Sequence, residues 1–192
     1  MTASIISICN SALSKLGASR ISSLTEQNKS ARLCNEQYEK VRDDVLRSHN
    51  WNFATKRVAL AVLATTPVYE YDFEYNLPVD CLKVIEVYPD IPFVIEGRKL
   101  LSNSNAVKIK YTYKNEDVYM YDANFLEALA LKLAADLAYP LIQSVNKEEQ
   151  LNAKFKEHLA NSRTLDAQEG TPEESSNDIW LNARYGVNNE QI

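Results

Sequence analysis

The sequence predicts an α+β protein: a helical bundle of about four helices around a central apolar helix, with an inserted small antiparallel β module and an extended C-terminal tail. Three observations carry this. The run from Phe125 to Ser144, FLEALALKLAADLAYPLIQS, is the most apolar helix-like stretch in the chain. From Ala54 to about residue 115 the hydrophobic period changes from helical to alternating. After Asp166 the chain becomes rich in Glu, Ser, Asn and Gly, a composition that cannot build a core. The boundaries that follow are 1–52 and 116–166 for the helical bundle, 53–115 for the β module and 167–192 for the tail.

On a helix, Phe125, Leu129, Leu133 and Leu137 share one stripe, with Leu126, Ala130 and Ala134 beside it and charge confined to Glu127, Lys132 and Asp136. So wide an apolar band needs cover from more than one side. Asp122 or Asn124 can cap its start, and Pro140 is expected to kink or end it. The first covering helix spans about residues 3 to 16, with Ile5, Ile8, Cys9, Ala12, Leu13 and Leu16 on its apolar face. Ser4 is its N-cap and Gly17 its left-handed stop. A polar loop follows, anchored by Ile21 and Leu24.

The second helix starts at an Asn28 cap and reaches about His49. Its buried stripe is Ala31, Cys34, Tyr38, Val41, Val45 and Leu46; its charged face is Arg32, Glu36, Glu39, Lys40, Arg42, Asp43 and Arg47. That face reads as solvated or as a charged subunit contact. Just beyond it, Trp51 and Phe53 are expected to plug the junction between helices and sheet. A last helix, about 146 to 165, offers only Leu151, Phe155, Leu159 and Ala153 as apolar positions and lies across the others.

The β module reads as about five strands. In YEYDFEYNLP, Tyr69, Tyr71, Phe73 and Tyr75 alternate with Glu70, Asp72 and Glu74, which predicts a half-buried strand with one aromatic and one acidic face. FVIEGRKLLSN is a hairpin turning at Gly97. VKIKYTY puts Val107, Ile109, Tyr111 and Tyr113 on one side of a strand and Lys108 and Lys110 on the other.

The bulk properties narrow the function classes. A length of 192 residues supports one well-packed domain with a smaller insertion. A net charge of -5, without any Lys/Arg-rich block, argues against a general nucleic-acid binder held by phosphate neutralisation. No apolar run is long enough to span a membrane, and the N-terminus lacks the basic region of a signal peptide. Cys9, Cys34 and Cys81 are odd in number and widely spaced, which predicts reduced, buried thiols. With only His49 and His158 present, a His-based metal site is not expected; His49 reads as a helix-end cap.

Active-site signatures are missing from the sequence: it has no phosphate-cradling glycine loop, no GxSxG and no HExxH. The acidic strand face of Glu70, Asp72 and Glu74 reads as solvated or as a subunit contact, ahead of a Ca²⁺ or Mg²⁺ site. Ile179, Trp180, Leu181, Arg184 and Tyr185 form a tight group in the polar tail, the pattern of a docking peptide. The alternative is that Trp180 folds back onto its own domain. The chain therefore reads as a structural or interaction protein, with no enzymatic role and no cofactor expected.

The segments also occur in a telling order. LxxLG and ISSL are followed by a Tyr-bearing helix ending in WNFATKR, then YxYxxxYNLPVDCLKV, VIEGRKLLSN, VKIKYTY, the FLEALALKLAADLAYPL helix and a closing DIWLNAR. This set, over about residues 3 to 185, resembles the tail tubular protein A family of short-tailed bacteriophages, the head-to-tail adaptor (gatekeeper) proteins. The resemblance implies a virion protein made in the host cytoplasm, a self-associating ring of twelve copies beneath the portal protein. The tail nozzle would assemble below it, and genomic DNA would pass through the lumen without specific binding. It also implies that the helical part builds the ring, that the β module faces distal tail components, and that the C-terminal segment reaches the portal through Ile179 to Arg184. No membrane partner is implied. The alternative is another minor tail or head-completion protein without direct portal contact.

Overall fold

The first helix, α1 (Ile5–Leu16), starts from a reciprocal cap. The Ser4 hydroxyl accepts the Ser7 N–H at 3.1 Å, and the Ser7 hydroxyl accepts the Ser4 N–H at 2.9 Å. Gly17 closes it at φ 69, a left-handed conformation that costs a side-chain-bearing residue more. Asn10, buried on α1, donates to the Ile21 carbonyl and accepts the Ile21 N–H, both at 2.8 Å. That pair satisfies two backbone groups and pins the following loop to the helix.

This computed structural model describes residues 4–168, with side chains described through Ser162. Its architecture is mixed α+β, with four helices and two small antiparallel three-stranded sheets. Helix α2 (Lys29–Ser48) is capped by Asn28, whose side chain accepts the Ala31 N–H at 2.7 Å. Helix α3 (Ala123–Ile142) is capped by Asp122, which accepts the Phe125 N–H at 2.6 Å. Half of its twenty residues are buried, among them Phe125, Leu129, Leu133 and Leu137, and it packs against α1, α2 and α4. Pro140 does not end α3: it stands in the last turn, where it removes a single backbone bond, the one to the Asp136 carbonyl, and Gln143 at φ 52 makes the stop. Helix α4 (Val145–Gln168) doubles back along α3, so that the His158 Nε2 lies 2.9 Å from the Asn124 carbonyl. Leu151 and Leu159 are its buried apolar residues among the described side chains, Ser162 is buried as well, and Ala153 is exposed.

There are six strands among the described residues, where the sequence suggests about five. They are β1 (Thr55–Leu60), β2 (Phe73–Asn76), β3 (Cys81–Tyr88), β4 (Phe93–Glu96), β5 (Lys99–Ser102) and β6 (Val107–Tyr113). The sheets have the orders β1-β6-β3 and β2-β5-β4. Tyr75 and Leu100 from one meet Val107, Ile109 and Tyr111 from the other in a second, smaller core. The β4–β5 hairpin turns at Gly97, φ 60, as its sequence predicts.

The expected strand through Tyr69 to Pro78 is shorter than its alternation suggests. The Tyr71 N–H bonds back to the Tyr69 carbonyl at 2.9 Å, and Glu70 takes the left-handed conformation, φ 69. This local turn breaks the period, and only Phe73–Asn76 pairs with β5.

Where helices and strands join, Trp51 is fully buried and its indole N–H donates to the Val45 carbonyl at 3.0 Å. Its ring lies 5.2 Å from that of Phe125, which also meets Phe53 at 5.1 Å and Tyr121 at 4.7 Å. Edge-to-face pairs of this kind add to the burial of the rings themselves. We expect Phe125→Ala to destabilise the fold by about 3–5 kcal/mol, measured by urea unfolding.

Candidate interaction surfaces

The charged face predicted for α2 divides in two. Arg32, Glu36, Glu39, Lys40 and Arg47 are exposed, and Asp43 is half-buried. Arg42 does not belong to that face: its side chain is only 4% exposed. It follows Tyr38 by four residues and so sits on the same helical stripe, a signal that its charge obscured. Its Nε donates to Asp43 Oδ1 at 2.8 Å, and its Nη2 is 3.6 Å from Glu116. Lys114 joins them, 3.0 Å from Glu116 and 3.8 Å from Asp43. Burial opposes the Arg42 charge, but the hydrogen bond and attraction from Asp43 outweigh it and raise its pKa above the ordinary value. This network ties α2 to the chain leaving β6.

Lys40, Asp43 and Arg47 also line a depression of about 610 Å³, with Asp44, Lys132, Asp136 and Glu148 around it. Lys132 and Asp136 pair at 2.8 Å. The Arg47 guanidinium reaches across to donate to the Leu82 carbonyl on β3. The surface here is mixed in sign, and part of its charge is used inside the fold.

The expected acidic strand face does not form. Glu70 and Asp72 precede β2 and are exposed, whereas Glu74 is buried within it. Glu74 accepts from Lys99 at 2.9 Å and from the Thr65 hydroxyl. These bonds, Thr65 first, hold its carboxyl below the usual range against the opposing effect of burial. Among the described residues no three potential metal ligands converge. Cys9, Cys34 and Cys81 are free and buried. The His49 ring packs edge-on against Trp51 at 4.8 Å.

A surface that the sequence shows only in part lies on the outer side of β1-β6-β3. The register sets Arg57 opposite Lys110 and Lys110 opposite Glu86; it sets Ala59 opposite Lys108 and Lys108 opposite Tyr88. Arg57, Lys108, Lys110, Glu86 and Tyr88 thus surround a depression of about 390 Å³. Lys110 is 3.7 Å from Glu86, and the Lys108 ammonium lies 5.7 Å from the Tyr88 ring centre. Glu86 offsets one of three positive charges, and two of those are directly cross-strand, which is repulsive. Sequence alternation places the two lysines on this side, but Arg57 and Tyr88 join them only through pairing that includes a shift between Val84 and Glu86.

The predicted docking group Ile179, Trp180, Leu181, Arg184 and Tyr185 lies outside the described residues. In comparisons with known proteins, the chain matches no protein-family model and no curated protein.

The Glu74 geometry has a pH consequence. A carboxyl whose folded pKa is lowered binds fewer protons folded than unfolded, so it contributes stability above its unfolded pKa, ~4.3 for Glu. That contribution is lost as the pH falls through the lower, folded value. We therefore expect Glu74→Gln to be less stable than the parent at neutral pH and the difference to shrink on acidification below ~4.3, followed by thermal unfolding at a series of pH values.

Proposed function

We propose that this chain is a structural virion protein, a head-to-tail adaptor that assembles as a ring between a portal and a tail nozzle and lines part of the DNA channel. The observation that carries the reading is the ordered set of segments from about residue 3 to 185, which resembles the tail tubular protein A family. In this reading α3 is the central helix of the bundle and a scaffold rather than a contact, supported by its burial against α1, α2 and α4. The β strands form the inserted module that faces the distal tail.

A closed ring needs two different, complementary side surfaces on each subunit. The exposed charges of α2, Arg32, Glu36, Glu39 and Lys40, supply one candidate. The edge strand β4, where Phe93, Val94 and Ile95 are all partly exposed, supplies a contact of another kind for the β module. The role proposed is mechanical, with no catalytic site and no cofactor. In the assembled ring, many weak tails acting together would raise the avidity for a portal.

The test is electron microscopy of the purified protein with and without its portal. Rings on the portal are expected; their absence at every salt concentration would sink the adaptor reading. Deleting residues 171 to 192 separates it from the alternative, a minor tail or head-completion protein without portal contact. The adaptor should lose portal binding and keep its fold. Trp180→Ala should cost on the order of 2 kcal/mol or more per docked tail in a binding titration, and a change near zero would make Trp180 a bystander.

A further inference from the structure

We infer that, in the free subunit, the C-terminal segment 169–192 docks on the open basic face of its own β1-β6-β3 sheet. The inference does not rest on the adaptor reading, because it concerns the subunit without any partner.

The first argument is the distribution of charge. Segment 169–192 contains Glu169, Glu173, Glu174, Asp178 and Glu190 against the single Arg184, a net -4 out of the chain's -5. The rest of the chain is close to neutral. Against this, the sheet face gathers Arg57, Lys108 and Lys110 with only Glu86 to offset them. Like charges held opposite one another across β1 and β6 are relieved by an incoming anion.

The second argument is where the described chain ends. His158 lies level with Asn124, at the start of α3. From there α4 continues ten residues to Gln168, or about 15 Å at the helical rise. This is the end of the bundle from which the strands leave, since Phe53, two residues before β1, packs on Phe125 there. Trp180 is twelve residues beyond Gln168, a reach of up to about 40 Å for an extended chain. A tether this short gives an effective concentration in the millimolar range, enough for a weak site to fill.

The third argument is chemical fit. The depression presents an aromatic ring, Tyr88, beside the Lys108 ammonium. Asp178 followed directly by Ile179, Trp180 and Leu181, with Glu173 and Glu174 a few residues earlier, matches a basic face that carries an exposed aromatic ring, and Trp180 can take a guanidinium or ammonium on its face. Towards the helices the same face continues past Arg57 and Lys110 to a second depression edged by Asn50, Asn52 and Thr55, which adds no acidic side chain to oppose the tail.

The test is limited proteolysis of the full-length protein with an enzyme that cuts at large apolar residues, following cleavage at Ile179 and Leu181 by mass spectrometry. The combined Arg57→Glu, Lys108→Glu and Lys110→Glu variant should be cut about fivefold faster or more than the parent. Raising the salt to about 500 mM should do the same to the parent. A second variant, Glu169→Lys with Glu173→Lys and Glu174→Lys, leaves every described side chain untouched and should give the same acceleration. Joining the two sets should restore slow cleavage. Equal rates in the parent and in the tail variant would overturn the inference. So would protection that disappears on dilution, which would assign the tail to a second copy. No portal enters the experiment, so failure here leaves the adaptor reading standing.

Discussion

Four aromatic rings, Trp51, Phe53, Tyr121 and Phe125, meet where the chain leaves the helices for the strands and where it comes back. Residues 55 to 113 join the rest beside this cluster, with Leu82 of β3 and Tyr113 of β6 also packed against the helical core. The rings belong to the end of α2, the approach to β1, the turn before α3 and the first turn of α3 itself. Burying them together therefore sets four chain directions at once. Each ring also has its polar tip or backbone anchored: the Trp51 indole on Val45, the Tyr121 hydroxyl on the Asn115 carbonyl at 2.8 Å. An aromatic ring with its polar atom satisfied can be buried without the desolvation penalty that an orphaned one carries.

Around that junction, charge is used for alignment more than for bulk stability. Arg42, Asp43, Lys114 and Glu116 connect α2 with the end of β6. On the strand side, Asp80 accepts from Lys56 at 2.9 Å and from Tyr111 at 3.1 Å. Burial and the Asp80 carboxylate push the Tyr111 hydroxyl up to about 12. These bonds join β1, β6 and the turn before β3, so they resist sliding of one strand past the next. Exposed pairs of this type contribute little free energy each, but a pair that crosses between elements selects one register over its neighbours.

The two sheets then divide the charge of the β strands. Glu74 is taken inward and bridged by the exposed Lys99, which removes the carboxylate from the surface, while Arg57, Lys108 and Lys110 are left outward on the other sheet. A chain that is acidic as a whole thus carries a local basic face, and -4 of its net charge of -5 falls in its last 24 residues. Net charge alone conceals such a separation. It becomes visible when composition along the chain is set beside strand register.

The sequence by itself determined where the helices lie and most of their starts, because caps and helical periodicity are local; the end of α3, at Gln143 and beyond Pro140, was not among them. Ser4, Gly17, Asn28 and Asp122 act through side chains or conformations within three residues of the positions they terminate. It also determined which side of β6 is apolar, since alternation is a property of a single strand. The tertiary structure decided what depends on partners. Alternation in YEYDFEYNLP does not reveal that a turn at Tyr69–Tyr71 cuts the strand short, so the three carboxylates never share a face. A charged residue on a buried stripe, Arg42, reads as surface until Asp43, Lys114 and Glu116 are brought around it. Likewise Arg57 and Tyr88 lie 31 residues apart in the chain and become neighbours of one depression through their common partner strand, β6. Local periodicity carries information about one element at a time, whereas a site assembled from several elements depends on register, and register is fixed by contacts that are distant in sequence.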